Sequence, residues 1–132
     1  MKDVVTSILK NDGKILILKR SNKVGSFQGK WAGVSGYVEK HDSSPLERAI
    51  IEIREETGLS ENEIRFIKAA KPIEIRDGKV IWRVHAFLFE VKNKKIKIDW
   101  EHSEYKWIEL DEIKNYDVVP SLNDVIHALL EE

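Results

Sequence analysis

The chain has no cysteine. That excludes a disulfide framework and any thiolate metal site. It also lacks an apolar run near the roughly 20 residues that a membrane-crossing helix needs. Its start, Met1-Lys2-Asp3-Val4, carries neither the apolar stretch nor the cleavage site of a secretory signal. The expected location is therefore the cytoplasm. Excess charge is missing too. The 22 basic residues nearly balance the 23 acidic ones, for a net charge of −1. Nothing then steers the protein toward nucleic-acid backbones or anionic membranes, and general nucleic-acid binding is not expected. No internal repeat or low-complexity linker divides the 132 residues. One domain over 1–132 is expected, with a hydrophobic content of 42% sufficient for a single core.

What the chain does have is a crowd of acids in an unfavourable place. Ser44-Pro45-Leu46-Glu47 reads as a capping box with proline at the first helical position. Leu46, Ala49, Ile50, Ile53 and Thr57 then form one stripe at the helical period, and Gly58 suits the left-handed position after the last turn. The spacing predicts a helix over about 44–57. Its last two turns hold Glu52, Glu55 and Glu56. A helix C-terminus carries partial negative charge, so each acid there costs about 0.3–1 kcal/mol. Glu52 stands three and four residues from the other two, close enough for like charges to repel. Glu52 and Glu56 project within about 40° of each other, at the border of the buried stripe. A shared divalent cation is the simplest reason to keep them.

Around this helix the pattern is mostly strand. Val4–Leu9 and Lys14–Lys19 flank Asn11-Asp12-Gly13, a hairpin signal. A polar loop over 21–30 leads to a short strand over Trp31–Val38. Two β-rich runs, 64–75 and 80–91, flank Asp77-Gly78, and the second is apolar on both faces like a covered central strand. Shorter strands are expected at Ile96–Trp100 and Tyr105–Ile108, a helical turn at Asp111–Asn115, and a terminal helix over Pro120–Leu130. This order suits an α+β fold, a mixed or antiparallel sheet covered by two helices, better than repeated βαβ units.

These residues resemble the Nudix hydrolases. That family's signature reads Gly, five of any kind, Glu, seven of any kind, Arg, Glu, aliphatic, any, Glu, Glu, any, Gly, aliphatic. Glu52, Ile53, Glu55, Glu56, Gly58 and Leu59 match its second half throughout. The first half departs: its Gly falls on Tyr37, with Gly36 just before, its Glu on Ser43 and its Arg on Ile51. Gly29-Lys30-Trp31, the run Glu101 to Trp107, and Leu110-Asp111-Glu112-Ile113 are also similar to the family. The resemblance implies an α/β/α sandwich around a mixed sheet. It implies hydrolysis of a nucleoside diphosphate linked to another group, with Mg²⁺, or Mn²⁺ in its place, as cofactor. Glu52 and Glu56 would be the main metal ligands, Glu55 a third ligand or an aid to water activation, and the Gly36 carbonyl a further ligand. A base on a later loop would be Glu104 or Glu101. A homodimer is also implied. The missing Arg would ordinarily help hold the metal-binding carboxylates, and Arg48, four residues before Glu52, is placed to brace it instead.

The chemistry fits these residue types. A diphosphate repels an incoming hydroxide, and Mg²⁺ neutralises that charge while taking few protein carboxylates. Lys19, Arg20, Lys23 and Lys30 stand near the loop before the signature strand, where a solvated basic loop is the expected role. Trp31 and Trp107 are expected to pack in the core, His85 to be a hydrogen-bonded core residue and His102 to be exposed. The altered first half of the signature leaves a second reading open, a catalytically weak domain that senses a nucleotide or binds a protein. An isomerase acting on a diphosphate is a third, by fold analogy alone.

Overall fold

The computed structural model describes residues 1–130. Strands β1 (Lys2–Asn11) and β2 (Lys14–Arg20) form the expected hairpin. Asp12 and Gly13 both take positive φ at its tip, 50° and 80°, as a two-residue turn between twisted strands requires. Next come β3 (Trp31–Ala32), β4 (Val34–Tyr37), the helix α1 (Pro45–Thr57), β5 (Ile64–Ala69), β6 (Ile73–Asp77) and β7 (Val80–Val91). The chain ends with β8 (His102–Glu109), a 3₁₀ turn at Leu110–Asn115 and the helix α2 (Leu122–Leu130).

The strands make one mixed sheet in the order β3-β2-β1-β7-β5. β4 joins the first half of β1, β6 the first half of β7, and β8 runs along β2. β1 and β7 pair in parallel, and the other pairings are antiparallel. Alternation along the strands sends Val5, Leu9, Phe87 and Phe89 to one face, where Ala49 and Ile53 of α1 cover them. Ile8, Val84, Ala86 and Leu88 go to the other face, beneath Leu122, Val125 and Ile126 of α2. The sheet between two helical layers is thus the α+β sandwich that the sequence implies. β7 is covered on both faces, as its unbroken apolar run requires.

Three strand expectations change. The run over 64–75 is two strands, β5 and β6, interrupted at residues 70–72 and paired with different stretches of β7. The single strand over Trp31–Val38 is split at Gly33. Trp31 and Ala32 pair with β2, whereas Val34–Tyr37 cross to β1. A Cβ at Gly33 would stand 2.9 Å from the Ser7 carbonyl oxygen, so the crossing depends on having no side chain there. Residues 96–100 form no strand. Ile96 does turn into the core, but the backbone runs past the end of α1, where the Lys97 N–H donates to the Thr57 carbonyl at 2.9 Å.

α1 starts and stops where its sequence says. The Ser44 hydroxyl accepts the Glu47 N–H at 3.1 Å, Pro45 follows, and Gly58 closes the helix at φ 76° with its N–H on the Arg54 carbonyl. The reciprocal half of the capping box is displaced by one residue, since the Glu47 carboxylate bonds to Ser43. Replacing Ser44 with Ala should cost about 1 kcal/mol, read as a fall of a few degrees in Tm. An unchanged Tm would show that Glu47 and Ser43 suffice to start the helix.

Candidate active site

α1 is rotated further than its apolar stripe suggests. Arg48, Glu52 and Glu56, one row at i, i+4 and i+8, are buried along with Ala49 and Ile53, while Leu46 and Ile50 are only partly covered. Glu52 and Glu56 therefore lie at the border of the apolar stripe, as their spacing implied, and that border is itself buried. The row packs against β4, and the close approach is made possible by Gly36. A Cβ there would lie 2.6 Å from both Cγ and Oε2 of Glu52 and closer still to Cδ.

Two carboxylates in this crevice strain each other. The Ser35 N–H reaches Glu56 Oε1 at 3.4 Å, a long bond, and Glu56 Oε2 is buried without a hydrogen-bond partner. Burial first, then the neighbouring Glu52 carboxyl and its charge, then the charge of Glu101, push the Glu56 carboxyl well above the usual glutamate range. Glu101 is also raised, mainly by burial and then by the charges of Asp99 and Glu52. The carboxylate that the sequence places on a later loop and the structure brings to the helix pair is thus Glu101. Glu104 points elsewhere. It is exposed on β8, with an ion pair to Lys19 at 3.5 Å. Glu55 is exposed on the outer side of α1.

Two side chains at the site carried no signal in the sequence. His102, expected to be exposed, is 6% exposed. Its Nδ1 meets Asp99 Oδ1 at 2.9 Å and its Nε2 faces Glu56 Oε1 at 3.7 Å. Burial lowers its pKa, and Asp99 opposes that shift. Asp42 is the other. It grips Arg48 through both oxygens, Oδ2 to Nε at 2.8 Å and Oδ1 to Nη2 at 3.0 Å, and Arg48 Nη1 continues to Glu52 Oε2 at 3.1 Å. The bond from Arg48 holds the Asp42 carboxyl below the usual range. Arg48 thus braces Glu52 as its spacing implied. Ser43 is turned to Glu47 and Ile51 is part-buried.

Family comparison settles the lineage. A family model described as the NUDIX domain matches residues 1–129. The chain belongs to the Nudix family. Nucleoside triphosphatase NudI of Escherichia coli is 30% identical over 126 residues, spanning 89% of this chain and 88% of that protein. The solution structure of the E. coli ORF135 protein superposes with a TM-score of 0.76 at 25% identity, covering 98% of this chain and 89% of that one. The MutT protein from Methanosarcina mazei Go1 gives a TM-score of 0.75, also at 25% identity, over 96% and 90% of the two chains. As a Nudix member the chain is a hydrolase of phosphoric anhydrides.

The donors fit the divalent ion that Nudix hydrolases generally use. Among the described residues, no three Asp, Glu or His side chains converge into a ready cage. What converges is a pair of carboxylates, one of whose oxygens lacks a partner, beside a backbone stripped of its side chain. Mg²⁺ suits such a set, because it binds through one or two carboxylates and keeps water and substrate phosphates for its other positions.

Of the other residues singled out in the sequence, Trp31 is buried with its ring edge-on to Tyr116, and Trp107 donates Nε1–H to the Lys94 carbonyl at 2.9 Å. His85 is hydrogen-bonded as expected, to Asp3 at 2.9 Å, but it is part-buried and does not lie in the core. Lys30 pairs with Asp117 at 2.9 Å, and Arg20 ties its own loop through the Ser26 carbonyl. Tyr37 is 57% exposed and leans on Trp82.

Proposed function

We propose that this chain is a Mg²⁺-dependent pyrophosphohydrolase that cleaves a diphosphate linkage in a nucleoside diphosphate-linked substrate. The observation that carries the reading is the unpartnered Glu56 Oε2 held against Glu52 in a crevice that only glycine at position 36 allows. A buried, unpartnered carboxylate oxygen is costly, and a cation supplies the missing partner. Glu52 and Glu56 would hold Mg²⁺ together with the Gly36 carbonyl, with Glu55, exposed on α1, as a further ligand or an aid to water activation. When bound, the ion neutralises the phosphates and activates water for in-line attack. Glu101, whose carboxyl is raised by burial and by Asp99, would serve as the general base, while Glu104 is engaged with Lys19. Asp99 and Glu56 keep the His102 ring oriented beside the carboxylates. Loop 21–30 and the turn at 99–101, joined by the Ser21 bonds to the Trp100 and Glu101 carbonyls, would select with the start of β8 the group attached to the diphosphate. The known activity of NudI toward nucleoside triphosphates makes that class the first to try.

The test is a panel of nucleoside triphosphates, nucleotide sugars and dinucleoside polyphosphates, followed by nucleotide or phosphate release with Mg²⁺, with Mn²⁺ and with EDTA. Turnover should require the metal. Glu52→Gln should reduce it by more than the roughly 10–100-fold that loss of a partner one layer out from a metal usually costs. Turnover that persists in EDTA, or in Glu52→Gln, would refute the assignment. Metal and nucleotide binding with no turnover across the panel would favour the sensing role.

A further inference from the structure

Arg48 and Asp42 are more buried than surface ion pairs. The Asp42 side chain is wholly shielded from solvent although it lies on the loop between β4 and α1, and the Arg48 side chain is 9% exposed. That loop is folded on itself. The Asp42 N–H donates to the Glu39 carbonyl at 3.1 Å, and the Glu39 N–H returns to Asp42 Oδ2 at 2.7 Å. The loop begins just after Gly36 and ends at the Ser44 cap. A guanidinium is a rigid plane, so fixing Nε and Nη2 on one carboxylate fixes the direction of Nη1. Here that direction ends on Glu52 Oε2. The circuit therefore runs from the Gly36 strand end, through the Glu39–Asp42 turn, to Arg48 and on to Glu52.

We infer that Asp42 and Arg48 form a positioning clamp, which sets Glu52 relative to the Gly36 backbone so that the two present a cation site of fixed geometry. The inference rests on the proposed metal-dependent hydrolysis and adds to it two residues that act through Glu52. It also accounts for a departure in the sequence. Positions 43 and 51 hold Ser and Ile, neither able to form such a charged link, and the link is made instead from positions 42 and 48. Neither residue is a catalytic residue, since each reaches the site only through Glu52.

The decisive probe is Mn²⁺ itself, titrated into the full chain without substrate and followed by the loss of its free-ion electron paramagnetic resonance signal. Wild type, Asp42→Asn, Arg48→Ala, Arg48→Lys and the double variant Asp42→Asn/Arg48→Ala are compared, each first shown by its melting transition to be folded. Arg48→Ala should weaken Mn²⁺ binding by about 10–100-fold. In turnover assays it should lower kcat and raise the Mg²⁺ needed for half activation while KM for substrate stays put. Arg48→Lys should behave like Arg48→Ala, because an ammonium keeps the charge but cannot hold two carboxylates in one plane. Asp42→Asn should shift the same quantities in the same direction, and the double variant should be no worse than Arg48→Ala alone. Wild-type Mn²⁺ affinity in Arg48→Ala or Arg48→Lys would overturn the clamp, as would additive effects in the double variant. Asp42→Asn offers the milder lesion should Arg48→Ala not fold, and wild-type affinity there would overturn it equally. If wild type binds no Mn²⁺ and turns over nothing, the metal-dependent reading fails first and the clamp with it; if wild type binds and the variants match it, the clamp alone fails.

Discussion

Glu56→Gln should stabilise the metal-free protein while removing its turnover. The native carboxylate is buried with one oxygen unpartnered and with Glu52 and Glu101 repelling its charge. Glutamine has nearly the same shape, keeps an oxygen for the Ser35 N–H and carries no charge. A gain of about 1–3 kcal/mol is expected, the usual cost of leaving such a group unsatisfied. The pH dependence gives the sign. Burial raises the folded-state pKa of Glu56 above its value in the unfolded chain, about 4.3. Below that value both states hold the proton and Glu56 imposes no penalty. As pH rises past it, the unfolded chain releases the proton first. The metal-free protein then loses stability until the pH passes the raised, folded-state value. Melting curves in EDTA from acid to neutral pH should show a more negative slope in wild type than in Glu56→Gln, with Glu101 adding to the fall in both proteins and Asp42, Glu63, Glu90 and His102, all lowered, opposing it in both. Added Mg²⁺ should stabilise wild type near neutral pH and do little for the variant. Equal slopes in the two proteins, or full turnover in Glu56→Gln, would mean that this carboxylate is an ordinary buried acid.

Gly36→Ala should produce the opposite profile, a large loss of activity for a small loss of stability. The added methyl would meet Glu52 at 2.6 Å or less. The Glu52 side chain is the softer partner and must move, but Arg48 holds it, so the displacement falls on the carboxylate that the reaction needs. Overpacking of this kind costs about 1–3 kcal/mol, which a domain of this size tolerates. Turnover should drop at least as far as in Glu52→Gln, with Mn²⁺ affinity falling in parallel. A Gly36→Ala protein with normal kcat would show that the crevice is wide enough to take a side chain and that Glu52 need not sit so close to the strand.

Much of this was legible in the chain because local signals and packing agree. Asn11-Asp12-Gly13 fixes a hairpin through backbone preference alone, and Ser44, Pro45 and Gly58 mark both ends of α1. Glu52 and Glu56 were identifiable as a pair because their spacing on a helix leaves them no way to avoid each other. The break at Gly33 was hidden, since only the choice of two different partners, β2 and then β1, distinguishes it from one continuous strand. Residues 96–100 alternate like a strand and have a buried face, yet their hydrogen bonding goes to the end of a helix. Asp42 and His102 became visible only in three dimensions. Asp42 acts across a loop whose path its sequence does not set, and His102 acts through partners on two separate elements. Glu101 and Glu104, three residues apart, were equivalent candidates until the pairing of β8 with β2 turned Glu104 toward Lys19.

The parallel union of β1 with β7 bears on how the chain is made. Lys2 stands opposite Trp82 and Lys10 opposite Glu90. β1 must therefore wait for β7, which emerges from the ribosome much later, before the centre of the sheet can close. Such distant pairing slows folding and prolongs exposure of unpaired edges during synthesis. A nascent chain stalled before β7 should thus remain protease-sensitive, acidic helix included, and become fully resistant only once β8 and α2 have followed Val91 out of the exit tunnel and covered the second face of the sheet.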